Sequence, residues 1–148
     1  MAERTGPVRH LTVMIAHQKI YGGCARWTVA ALQDAVPFVP VDDGLRRAGT
    51  CLDAETTPTG SHSCGAFTGC LLVIGHLCGA NTGDEANEQR GSLAHELARR
   101  IRQGFGEEYG GVLCKDVREA ADGNCPDVVG KAAQWTAEIL LKEFSDAS

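Results

Sequence analysis

Residues 64–78 contain no Asp, Glu, Lys or Arg. A stretch this long without charge has no polar face to offer water, so it predicts a buried helix. Gly65 and Gly69 stand four apart and share one side of that helix, where a second helix can approach closely. The rest of the composition fits such packing. Aromatic residues are few (Trp27, Trp135, Tyr21, Tyr109 and four Phe), so the core must lean on Ala, Leu, Val and Gly. A chain of 148 residues is long enough to bury one core unaided.

The flanking sequence is also helical in pattern. Leu11, Met14, Ile15 and Gln18 predict a first helix ending near Tyr21-Gly22-Gly23. A second is expected over about 24–34, with Cys24, Trp27, Thr28 and Ala31 on one face, stopped by Pro37 and Pro40. Leu93, Leu97, Ile101 and Phe105 recur at i, i+4 steps and predict a long helix over 85–105. Its acidic start and its late Arg99, Arg100 and Arg102 suit the helix dipole, and Glu96 and Arg100 form an i, i+4 pair. A short helix is expected over 115–121, and a terminal one from Pro126 to about Phe144 with Val129, Ala132, Ala133, Thr136, Ile139 and Leu140 inward. Only residues 38–41 have an extended pattern. Residues 41–63, rich in Gly, Thr, Ser and Pro, predict a long loop leading into Cys64, with Ser61 or Ser63 as its cap. The expected fold is all-α: a single compact domain over residues 1–148, of about five helices, with a long loop before the Cys64 helix.

Charge and leader patterns exclude several classes of function. The net charge of −5 disfavours a nucleic-acid groove or an anionic membrane surface. The first twenty residues carry scattered charges and no long apolar core, and residues 70–80 are too short to span a bilayer. A cytoplasmic location with no membrane insertion is therefore expected.

In a reducing compartment, seven cysteines do not form a structural disulfide framework, and an odd number cannot pair completely within one chain. Cys24, Cys64 and Cys125 fall at or just before predicted helix starts, and Cys114 immediately precedes another. Helix N-termini stabilise a thiolate, so a lowered pKa is expected at these four. On an ideal helix Cys70 lies about 9 Å along and about 240° around from Cys64, and Cys78 about 21 Å along. Neither can share a site with Cys64 in an unbroken helix, and both are expected to fill the core. Cys51 lies in the loop. His62 is a surface-loop histidine that could also serve as a ligand or thiol-activating neighbour; His76 is expected to be a hydrogen-bonded core residue. No C-x-x-C pair or zinc-ribbon spacing is present.

The run Cys64-Gly65-Ala66-Phe67-Thr68-Gly69, together with Cys24 upstream and Cys114 and Cys125 downstream, resembles the redox-active protein family named for its spaced cysteines around a C-G-A-x-x-G motif. The resemblance covers about residues 20–144. One departure is Arg46-Arg47-Ala48-Gly49-Thr50-Cys51 where a Gly-rich approach is expected, which adds Cys51 to the residues to consider. The same signature looks like the module of split-Soret cytochromes, where it accompanies an iron–sulfur cluster. The resemblance thus implies a redox or electron-transfer protein with Cys24, Cys64, Cys114 and Cys125 as ligands of a [2Fe–2S]-type cluster, and Cys51 and His62 as additional candidates. It also implies a redox partner protein, and a homodimer is compatible because a cluster can be completed across a two-fold axis.

Two other classes remain open on the residues alone. One is a metal-free thiol–disulfide oxidoreductase using Cys64 and Cys24. The other is a helical binding or scaffold protein whose cysteines merely pack.

Overall fold

The computed structural model describes residues 23–83 and 85–145. Six helices are present among them: α1 (Cys24–Ala35), α2 (Asp43–Ala48), α3 (Gly65–Cys78), α4 (Glu85–Tyr109), α5 (Cys114–Ala120) and α6 (Cys125–Ser145). The described residues form no β-strand, only an isolated antiparallel bridge between Ser63 and Leu113. The all-α expectation holds. The first expected helix lies outside the described residues, as do His10 and His17.

Helix α1 is the centre of the molecule. Nine of its twelve residues are buried, because Ala25, Ala30, Ala31 and Ala35 present almost no bulk and neighbours can close on every side. Helix α3 makes the tightest approach. A Cβ on Gly69 would stand 2.8 Å from the Ala25 carbonyl oxygen and 2.8 Å from Thr28 Cβ; one on Gly65 would stand 2.7 Å from Cys24 Cβ. Only glycine fits there, and the contact sets the N-termini of α1 and α3 side by side.

Helix α6 lays Val129, Ala132, Ala133 and Leu140, each 0% exposed, against this pair. Helix α4 adds Leu97, Ile101 and Phe105, also 0% exposed, as its i, i+4 spacing predicts. The Phe105 ring meets Phe67 and Tyr109 at 5.4 Å and Trp135 at 5.8 Å between centroids. These tilted, edge-on contacts are the favoured ones for aromatic quadrupoles. Cys70 and Cys78 belong to the core, with their thiols against the Ala132 and Ile74 carbonyls at 3.4 and 3.2 Å.

Several local expectations need correction. The region 41–63 contains α2, capped by the Asp42 side chain, which accepts from the Leu45 N–H at 3.2 Å. Its charges also follow the dipole, with Asp43 in the first turn and Arg46 and Arg47 in the last. Residues 38–41 form no strand; Val36 and Val39 instead turn into the core. Neither Ser61 nor Ser63 caps α3, since Cys64 itself holds the N-cap position. Helix α4 continues to Tyr109, so Arg99, Arg100 and Arg102 lie before its last turn, which holds no basic residue. Glu96 and Arg100 do pair, at 2.8 Å. His76 is exposed and faces Asp42 at 3.9 Å, because it lies on the outer side of α3.

The close α1–α3 contact can be tested with two glycines of one helix. Gly69→Ala is expected to cost about 1–3 kcal/mol through overpacking. Gly75→Ala, where a Cβ meets nothing within 4 Å, is expected to be neutral or to stabilise by up to about 1 kcal/mol. Urea unfolding of both variants reads the difference, and equal midpoints would contradict the close-contact account.

Candidate functional site

Each of the four signature cysteines starts a helix. Cys24, Cys114 and Cys125 are the first residues of α1, α5 and α6, and Cys64 is the N-cap of α3. The Gly65 contact sets Cys24 beside Cys64. A pair of backbone links then joins the Cys64 approach to the Cys114 approach. The Cys64 N–H donates to Val112 O at 2.6 Å, and the Cys114 N–H donates to His62 O at 2.7 Å. The Lys115 N–H reaches Gly60 O at 3.1 Å. Gly60 has φ +75, and a Cβ there would stand 2.9 Å from Lys115 Cβ, so glycine is needed on both counts.

The four side chains line one cavity of about 50 Å³, walled by Ala54, Ala66, Val117, Val128 and Val129, with His62 and Arg118 at its polar edge. Cys64 is buried, whereas Cys24, Cys114 and Cys125 are partly exposed. Arg118 lies one turn after Cys114 on α5, and its Nη2–H donates to Cys114 Sγ at 3.2 Å. The His62 Nδ1 atom is buried without a hydrogen-bond partner. Cys51 is exposed and lies outside this cavity, in an open cleft of about 590 Å³ that it shares with Arg26, Asp53 and one side of Cys24.

The expected uniform lowering of thiol pKa does not occur. Burial pushes the Cys64 thiol up to about 11, although the backbone N–H groups of Ala66 and Phe67 pull in the opposite direction. At this depth, loss of hydration outweighs the helix start. Cys24 is also raised, first because its thiol donates to Cys125, then by burial and the neighbouring sulfurs. Cys125 shifts in the opposite direction. The hydrogen bond from Cys24, opposed by burial and aided by Arg118, lowers it to about 6.

Soft thiolate donors suit iron and sulfide. Among the described residues, no three Cys, His, Asp or Glu side chains are arranged to hold a metal ion. A single ion requires all its ligands at one point, whereas a cluster spreads them over several irons. Four thiols facing one cavity are the donor chemistry that an iron–sulfur cluster takes.

Sequence reasoning missed Arg118 and the valine walls. Arg118 was discoverable, because i, i+4 spacing on a helix brings it beside Cys114. Val117, Val128 and Val129 carry no such signal, since a wall differs from a core only once the cavity exists.

The family described as putative redox-active protein (C_GCAxxG_C_C) matches residues 23–139, and the chain belongs to it. That description agrees with a general redox role. No curated protein and no solved structure matches the chain. No helix among the described residues is long and apolar enough to cross a membrane.

The lowered Cys125 pKa is measurable in the reduced, metal-free chain. Thiolate absorbance is expected to show one group ionising near pH 6, so that Cys125 is a thiolate at pH 7 while Cys64 remains protonated. Cys24→Ala removes the principal donor and is expected to move that midpoint upward.

Proposed function

We propose that this member of the C_GCAxxG_C_C family is an electron-transfer protein in which Cys24, Cys64, Cys114 and Cys125 hold a [2Fe–2S]-type iron–sulfur cluster. The observation that carries this reading is that all four signature cysteines, drawn from four separate helix starts, line the same cavity. A disulfide needs two sulfurs, and packing alone would not gather four around an open space. A cluster bound there would supply one-electron transfer.

The chain's own residues prepare the cavity for negative charge. The start of α3 directs the Ala66 and Phe67 N–H groups and its partial positive charge at Cys64. Arg118 adds a full cation at Cys114. Val117, Val128 and Val129 give the cavity apolar walls, which lower the local dielectric and strengthen these interactions. Loading must release protons from the raised Cys24 and Cys64 thiols, so uptake is expected to improve as pH rises from about 6.5 to 8.5.

Anaerobic purification, iron and acid-labile sulfide analysis and visible absorption test the proposal. The expected result is a coloured protein containing iron and sulfide. Serine at position 24, 64, 114 or 125 should lower the iron content at least several-fold, whereas Cys51→Ser should retain it. Colourless, iron-free protein that also resists reconstitution would overturn the reading.

A second reading has its own observation. Cys24 and Cys125 line the same cavity and shift each other's thiol in opposite directions, and a thiolate beside a thiol is the pair from which an oxidant makes a disulfide. As a metal-free thiol–disulfide protein, the chain would use these two, with Cys125 in place of Cys64. Mild oxidation followed by peptide mass spectrometry would then show a two-proton loss confined to the Cys24–Cys125 pair; a mixture of pairings would count against it.

A further inference from the structure

Arg118 is an exposed residue on α5, with Glu119 next to it and Asp122 four positions on. Among the described residues, however, Arg118 forms no ion pair with either; its guanidinium turns inward and donates to Cys114 Sγ. From there its charge also acts on Cys125 and Cys24. Cys64 has different support, namely the backbone N–H groups of Ala66 and Phe67. Cys114 therefore has a side-chain cation for support, whereas Cys64 has peptide dipoles.

We propose that Arg118 is the positioning residue that sets the redox poise of the four-cysteine site, its guanidinium favouring the reduced, more negatively charged form. This rests on reading the cavity as a redox site, but not on which redox group it holds. In a cluster-loaded chain, reduction adds one electron, and a cation donating to a ligand sulfur offsets the added charge. In the metal-free chain, two glutathione thiols reduce a Cys24–Cys125 disulfide: two electrons break its S–S bond, the glutathiones leave joined as one disulfide, and their two protons go to the released sulfurs or, for any sulfur left as a thiolate, to solvent. Arg118, which lines the same cavity as both sulfurs, again favours the reduced side, because only sulfurs freed from the disulfide can accept from or carry charge toward its guanidinium. The planar fork of arginine matters as well as its charge, since lysine reaches the same region with a compact, more hydrated ammonium.

The test compares the full-length chain with Arg118→Gln, Arg118→Lys and Arg118→Glu. Thermal melts first establish that all four are folded. The metal-free proteins are equilibrated against mixtures of oxidised and reduced glutathione, and the Cys24–Cys125 disulfide is quantified by mass spectrometry. Any iron-loaded protein is titrated by absorption against redox dyes. Arg118→Gln is expected to shift the oxidised-to-reduced ratio about three- to tenfold toward oxidised at a fixed poise. Arg118→Glu should shift it further, and Arg118→Lys should restore part of the difference. A merely structural arginine would move the melting temperature and leave the ratio unchanged. Unchanged ratios in folded Arg118→Gln and Arg118→Glu proteins would overturn the proposal. Iron-free protein would overturn the cluster reading alone, and the glutathione couple would still decide for or against Arg118.

Discussion

The approach of α1 to α3 through Gly65 and Gly69 is the contact on which the rest depends. At these two positions a helix presents bare backbone, so the partner backbone comes within van der Waals range of it. That proximity buries nearly all of α1, gives α6 a flat alanine-lined surface to cover, and brings two cysteine-bearing helix starts together. Bulkier residues at either position would separate the starts of α1 and α3. The family motif is thus a packing device as much as a chemical one: its cysteine supplies a sulfur, and its glycines bring a second sulfur close.

Within the cavity, two opposing effects divide the thiols. Helix starts favour thiolates, and removal from water opposes them. For Cys64 burial wins. For Cys125, greater exposure, the Cys24 hydrogen bond and Arg118 together win. In the metal-free site Cys125 therefore gives up its proton more readily than Cys24 or Cys64.

Much of this was legible in the sequence where a local rule applied. The uncharged run of α3, the i, i+4 ladder of α4 and Pro126 near the start of α6 each named a helix correctly. The same geometry separated Cys70 and Cys78 from the site and left them for the core. Helix α2 was hidden because Gly44 and the surrounding turn formers masked a six-residue helix defined mainly by its Asp42 cap. His76 was misjudged because a segment poor in charge still has one side facing water when it lies at the edge of the bundle. The convergence of four cysteines depends on contacts between distant segments, and spacing along the chain carries no information about those. Their positions at helix starts were legible; the burial that raises Cys64 and the contact with Cys125 that raises Cys24 were not.

The links between residues 60–64 and 112–115 have a consequence for the order in which the molecule is built. Cys64 and Cys114 are 50 positions apart, and the intervening chain is the α3–α4 hairpin with its connections. Closing that loop carries an entropic penalty that only a formed hairpin reduces to a short, nearly rigid gap. The neighbouring Cys24–Cys64 edge needs only α1 and α3 to meet, whereas the Cys114 and Cys125 edge must wait for the second half of the chain to be synthesised and to dock. The four-cysteine site is therefore complete only once both halves of the chain have docked, so an assembled site reports a folded molecule.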